Sequence, residues 1–443
     1  MAQNYILLER IELAASAASV TFSNIPQSGY TDLKVVYSAR VDSSAQDVIN
    51  ISLNGISSGF SSKLFYGLGS STGSQSSPAQ QSGIMGISNS TANTFSNGEM
   101  YIFNYLSSSY KNISSQAAAE NNATSAVMGL FGTLWSNTAA INSVTLTPAG
   151  GNFVANSTFS LYGLAAVGTT PAAPKAEGGD VFYSDGTYWY HFFKSSGTFT
   201  ALQPLSCDIL QVAGGGGGGG GVGGGGGAGG VLGYASQSVS GTVSVTVGAG
   251  GGRGTGNGTD GATNGGNSQF GLLTASVGGG KGGSINAGQA GANGGSGGGG
   301  AGSNTYGTGT SGQGSNGATT SNAGGGGGGK GGAGSAGGSS LLGGDGGASV
   351  NTVTNWGTLS SISSIIGVSG YIAGGGGGSG NGGSTGGIGG GGGATNGGST
   401  GPATDATANT GSGGGGGGYE AGGALARLGG NGGSGVVVVR YAV

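Results

Sequence analysis

Along the first 168 residues, apolar and polar side chains alternate. In residues 31–41, Leu33, Val35, Tyr37, Ala39 and Val41 face one way, and Asp32, Lys34, Ser38 and Arg40 the other. Residues 48–54 place Ile49, Ile51 and Leu53 on one face, and residues 99–105, 141–147 and 158–164 read likewise. A period of two marks strands with one buried face. Polar stretches at 70–82 and 120–124 interrupt the alternation as turns do. About eight to ten strands without a helical period predict an all-β sandwich, jelly-roll-like, over residues 1–168. That length suffices to bury a core.

The pattern then changes twice. Residues 169–179 combine two prolines with small residues and read as a linker. Residues 180–213 are aromatic and strand-like, with a hairpin signal at Asp185-Gly186. They are expected to form the base of a second domain, together with 242–248 and the closing strand 436–441. From Gly214 the alternation disappears. Most of the 116 glycines lie beyond this point, in unbroken runs such as 214–221, 324–329, 374–378 and 413–418.

Gly-rich chains are flexible coils by default, because ordering each glycine costs about 1–2 kcal/mol with no side chain to bury. Here short apolar stretches at 242–247, 362–366 and 436–441 punctuate the runs, and charged residues are sparse. A solvated tail carries more charge. Collagen is excluded, since there is no Gly-X-Y period and Pro402 is the only proline after Gly214. The remaining ordered solution for residues 214–443 is a small β base carrying a bundle of polyglycine-II (threefold) helices. Such helices make no internal hydrogen bonds, so every N–H and C=O must find a neighbouring thread.

Charge and rare residues narrow the chemistry. The net charge is −3 and 6% of residues are charged, which leaves no basic footprint for nucleic acid. With one cysteine, Cys207, no intrachain disulfide forms, and one histidine leaves too few ligands for most zinc sites. No stretch is long and apolar enough to span a membrane, so the chain is not expected to be membrane-embedded. Acidic residues early in the chain also argue against a signal peptide. Lys330 follows a glycine run that approaches a P-loop, but Gly331 stands where the magnesium-holding Ser/Thr belongs. His191 lies in an aromatic strand and reads as packing. Asp42 and Asp47 are formally a carboxylate pair but read as a solvated loop. No enzyme activity, metal or cofactor is expected.

Two motifs carry a resemblance. Residues 188–221, with aromatic-His-Phe-Phe, Ser-Ser-Gly-Thr-Phe and then Val-Ala-Gly-Gly-Gly-Gly, resemble the start of a glycine-rich domain of tailed-phage virion proteins. Residues 432–441, Gly-Gly-Ser-Gly-Val-Val-Val-Val-Arg-Tyr, resemble its end. Stretches of the first 168 residues are similar to attachment domains of marine and cyanobacterial phage fibres. The glycine runs are similar to distal tail-fibre adhesins of T-even-like phages, which lack so large an N-terminal β domain.

The resemblance implies a virion fibre or adhesin protein, assembled in the host cytoplasm and released by lysis. Its N-terminal domain would attach to other virion proteins of the tail or capsid, or drive homo-oligomerisation, with a trimer favoured. Its glycine-rich domain would bind a host outer-surface receptor, either a glycan or an outer-membrane protein. The alternative is a purely structural head fibre or capsid decoration. Specificity would reside between the runs, where the candidate receptor contacts are Tyr306, Trp356, Ile362, Ile365, Ile366, Tyr371 and Tyr419. The same residues would serve equally well as lattice filler or as a cap on the base sheet.

Overall fold

The computed structural model describes residues 5–23, 25–44, 47–85, 90–119, 126–166, 173–255, 261–285, 288–302, 305–319, 322–337, 342–363, 365–380, 384–389, 391–394, 402–418 and 428–443. The chain divides into two compact units. Unit one comprises Met1–Lys175, Asp180–His191 and Ala442–Val443; unit two comprises Ala176–Gly179 and Phe192–Tyr441. Among the described residues, regular structure is β apart from one 3-10 turn at Ser360–Ile362.

Unit one holds β1 (Tyr5–Glu12), β2 (Val20–Phe22), β3 (Tyr30–Ala39), β4 (Asp47–Leu53), β5 (Phe60–Leu68), β6 (Ser71–Ser77), β7 (Gln81–Met85), β8 (Ser96–Ile102), β9 (Lys111–Ala119), β10 (Val127–Trp135), β11 (Val144–Pro148) and β12 (Thr158–Ala165). Their order in the larger sheet is β1-β12-β3-β8-β9-β10-β5-β6, and in the smaller β2-β11-β4-β7. Without the β5-β6 and β9-β10 hairpins, the pairings nest: β1 with β12, β2 with β11, β3 with β8 and β4 with β7.

The alternation in the sequence explains both sheets. On β10 every second residue is buried, from Val127 to Trp135, and on β3 Leu33, Val35, Tyr37 and Ala39 face inward. The two inner faces share one core that includes Phe22, Ile51, Trp135, Phe153 and Phe159. Phe153 and Phe159 meet edge-on at 4.8 Å. Each such buried side chain contributes roughly 1.5–3 kcal/mol.

The boundary of unit one differs from the sequence expectation. Asp180–His191 clusters with this unit, while the strand Tyr188–Phe193 also stands beside the closing strand Val436–Ala442 in the sheet order, where the sequence reading puts the aromatic segment. β13 (Ala176–Glu177) precedes β14 (Val181–Ser184), and β14 pairs with β1 through Glu9↔Tyr183 and Ile11↔Val181. The rings of Phe182, Tyr183, Trp189 and Tyr190 are buried. β15 (Tyr188–Phe193) is divided between the units. Part of the expected linker, 169–172, lies outside the described residues, and β13 pairs with Ala201 and Thr200 instead of hanging free.

In unit two, β16 (Gly197–Val212) and β17 (Val231–Thr246) form a long antiparallel pair, extended by β18 (Gln269–Phe270). β17 begins eleven residues before the expected strand at 242, because its first half, Val-Leu-Gly-Tyr-Ala-Ser-Gln-Ser, is mostly buried or half-buried and carries no strict apolar alternation. Short strands β19 (Thr352–Val353) and β20 (Gly357–Thr358) form a separate hairpin. The last strand, β21 (Val436–Ala442), pairs antiparallel with β16 from Asp208↔Arg440 to Val212↔Val436. Both ends of the glycine region therefore meet in one sheet.

Between those ends the backbone follows a period of three. The N–H groups of Gly214 and Gly217 donate to Gly266 and Thr263, those of Gly215 and Gly218 to Gly433 and Gly430, and those of Gly216 and Gly219 to Gly227 and Gly224. The carbonyls accept in the same steps: 214 and 217 from Gly279 and Gly282, 215 and 218 from Gly251 and Gly254, 216 and 219 from Gly414 and Gly417. One run is thus tied laterally to six others. A β ladder would repeat every two residues. Run 324–330 repeats the pattern, with Gly324, Gly327 and Lys330 donating to Ser379, Gly376 and Ala373. The threads lie so close that a Cβ on Gly217 would overlap the Gly252 carbonyl. At the margins an asparagine side chain stands in for a missing thread. Asn264 Oδ1 accepts from the Lys281 N–H at 2.9 Å, and Asn431 Oδ1 from that of Arg253 at 3.0 Å.

Candidate functional site

Unit two has two ends with different chemistry. At the base end, residues 350–372 close on themselves through reciprocal hydrogen bonds between Val350 and Ile372, both at 3.0 Å. The closed segment buries Val353, Trp356, Leu359, Ile362, Ile366 and Ile372. The Arg440 guanidinium lies 4.3 Å from the Trp356 ring centre and donates from Nη2 to the Trp356 carbonyl at 2.8 Å. Its Nε edge holds Asp208, with Nε donating to Oδ2 at 3.0 Å. Asn355 Nδ2 donates to the Gly233 carbonyl, so the segment caps the sheet of β16, β17 and β21. Next to Asp208, burial pushes the Cys207 thiol up to about 12, with the nearby carboxylate adding to it; the group is inert at neutral pH.

This corrects the expectation for most candidate contacts. Trp356 is 3% exposed, Ile362 0% and Ile366 2%. Ile365 and Tyr371 are half-buried in the same segment. A receptor contact must be open to solvent, and these apolar side chains find one another first because the glycine runs offer nothing else to bury. Tyr419 lies outside the described residues.

The far end is the reversal side. Gly221 and Val222 adopt positive φ, 58° and 57°, and turn the first run back into the second. Beside them, Ser284 Oγ donates to the Gly220 carbonyl at 2.7 Å, and the next residue, Ile285, is 37% exposed. Leu342 is exposed just before Gly343, which packs against the Gly378 carbonyl, and Ser379 in turn donates to Gly223. Tyr306 is 42% exposed. Gly307, behind it, donates to Gly298, whose run reaches Ala301 and the bridge to Gly324 on this side. Of the sequence candidates, only Tyr306 is among the described residues that combine this end with exposure. Ile285 and Leu342 were missed, although each belongs to a short apolar interruption between glycine runs, in Ser284-Ile285-Asn286 and Leu341-Leu342-Gly343.

The remaining chemistry is sparse. Every backbone N–H from Gly324 to Lys330 donates to a backbone carbonyl, that of Gly329 to Gly332 in the following turn and the others to neighbouring threads, leaving none to cradle a phosphate. Lys330 Nζ donates to the Gly312 carbonyl, and burial lowers its pKa. His191 is buried and stacks on Phe182 at 5.4 Å. Asp42 accepts from the N–H and side chain of Asn152, which lowers its pKa. Among the described residues no three His, Cys, Asp or Glu side chains converge as metal ligands, and no helix is long and apolar enough to cross a membrane.

The end-to-end pairing and the threaded glycines between them coincide with a known sequence family. A glycine-rich domain family matches residues 194–442, more than half of the chain. The chain belongs to that family. No curated protein and no solved structure matches it. The glycine-rich domain so matched begins three residues before β16 and ends with β21, so it encloses the paired strands that seal it.

Proposed function

We propose that the chain is a fibre or adhesin protein of a tailed-phage virion. In this reading the sandwich of unit one, whose nested pairings fit a jelly roll, attaches to the particle, and the glycine-rich domain reaches the host cell surface. The step of three in the hydrogen bonds supports a polyglycine-II lattice, since each threefold thread turns successive N–H groups toward three different neighbours. Such a lattice is stiff without side chains, a property suited to presenting one end at a distance.

The observation that carries the reading is the two-ended build of the glycine-rich domain. Both ends of the glycine region are paired at the base, and the opposite end carries exposed Tyr306, Ile285 and Leu342 on short reversals, while Leu272 and Val368 are exposed beside the base. Exposed aromatic and aliphatic residues on rigid supports are the usual material of binding hot spots. The partner would be a glycan or an outer-membrane protein of the host.

Gold-labelled antibodies against the glycine-rich domain locate it on intact virions, and purified protein competes with virions for adsorption. Label at the tail together with competition is expected. Label spread over the capsid without competition would replace this reading with a head fibre or decoration. Sedimentation of the purified chain gives the copy number, for which a trimer is the expectation.

A further inference from the structure

Unit one has a second feature, independent of any place in a virion. The hairpins β5-β6 and β9-β10 widen the larger sheet beyond the nested strands. Their inward residues join the core, while their outward residues line a row of hollows. One of ≈ 290 Å³ lies beside Glu99 and Met128 and one of ≈ 210 Å³ beside Tyr101. The largest, ≈ 580 Å³, spans β5, β6, β9 and β10 over Gly132.

We propose that the hollow over Gly132 binds a carboxylate-bearing saccharide. Gly132 forms its floor, since nothing lies within 4 Å of the place its Cβ would take. Lys63 stands directly across on β5 and Leu134 two residues along β10. Ser76 and Asn112 supply a hydroxyl and an amide at the rim. Phe65 is 59% exposed on the Lys63 strand.

Charge selects the ligand's sign. Lys63 Nζ is 3.1 Å from Ser76 Oγ and 5.8 Å from the Phe65 ring centre, and it has no carboxylate partner among the described residues. On the same face Lys34 is already neutralised by Glu99 at 2.5 Å. The hollow therefore holds an open cation. Its neutral groups select the ligand's class. β10 is paired on both sides, by β5 and β9, and β5 by β6 and β10. Of these strands only β6, at the rim, ends the sheet with an outer edge; the hollow itself lies over the fully paired β5 and β10 and is lined by side chains, so recognition there falls to them. Hydroxyl and amide groups match the hydroxyls of a sugar, apolar walls match the C–H face of its ring, and Lys63 matches its carboxylate.

The test titrates the intact chain with oligogalacturonate and with sialyllactose by calorimetry. At least one is expected to bind, more tightly than its methyl ester. Lys63→Gln should weaken it by on the order of tenfold with an unchanged melting temperature, and Lys63→Arg should retain most of it. Gly132→Val should abolish it by filling the floor. Three results would overturn the proposal: no binding of either acid, equal binding of acid and ester, or protection of Leu134 and Phe65 by a second copy in sedimentation and hydrogen-exchange measurements.

Discussion

The two units solve the same problem with opposite materials. Unit one buries side chains: Phe22, Tyr37, Trp135 and Phe159 fill the space between two sheets, and the backbone pairs within each sheet. Unit two removes side chains until backbones meet directly, so that run 214–219 satisfies its N–H and C=O groups on six neighbours. In the first, hydrophobic burial drives folding and hydrogen bonds set the register. In the second there is almost no apolar area to bury, and lateral hydrogen bonds with close packing must offset the large entropy of ordering glycine. The large buried side chains of unit two gather at its base, where Trp356, Ile362 and Val436–Tyr441 seal the ends.

This contrast predicts where substitutions hurt. The largest effect is expected at a central thread. Gly217→Val has no space beside the Gly252 carbonyl and should cost more than about 4 kcal/mol, with loss of hydrogen-exchange protection across 214–435. Gly132→Ala, over open space in unit one, should stay within about 0.5 kcal/mol. Equal tolerance at the two sites would break the comparison.

Trp356→Ala comes next. It should cost about 3–5 kcal/mol in the unfolding of unit two, because it empties the apolar cap and strips the Arg440 guanidinium of its ring. A thermal melt that does not move, with host adsorption lost instead, would return Trp356 to the surface role its sequence suggested.

Asn431→Ala tests the margin of the lattice. It removes the acceptor for the Arg253 N–H and the amide that donates to Asp405, so a loss of about 1 kcal/mol is expected. A loss near that of Gly217→Val would mean that margin and centre are equally strained.

A cost of about 1 kcal/mol at neutral pH is also expected for Tyr37→Phe, which deletes a 3.2 Å bond to the Ile84 carbonyl. Its signature is alkaline. Burial raises the Tyr37 pKa above its unfolded value near 10. The folded state therefore holds its proton more tightly, and the stability this contributes is intact below pH 10 and lost as pH rises beyond it. Tyrosinate absorbance and unfolding should rise together above pH 10 in the wild type, and the variant should unfold at higher pH. An unchanged alkaline limb would contradict this.

Much of unit one was legible because a period of two directly reports which face is buried. Leu33, Val35, Tyr37, Ile49, Ile51 and Leu53 were assigned to inner faces and are there. The closing strands of unit two were legible as the only long apolar runs at its margins. The contact residues were not. Trp356 and the isoleucines around it look the same in a sequence whether they crown an exposed tip or plug a base, and only their hydrogen-bonded neighbours, Arg440 and Gly233, tell the two apart. The hollow over Gly132 was equally hidden, since Lys63, Ser76 and Gly132 come from three strands brought side by side by pairing.

By itself, the amino-acid sequence determined that the first part is β with one buried face and that the glycine runs, if ordered, must be satisfied by other threads. Both follow from local facts: side-chain alternation and the absence of a Cβ. Only the tertiary structure decided which thread lies beside which, where 180–191 belongs and which apolar residues stay exposed. A glycine run carries no address in its side chains, because Gly214 and Gly219 are chemically identical. Its neighbours are therefore chosen by the lengths of the segments between runs and by the side chains that seal their ends.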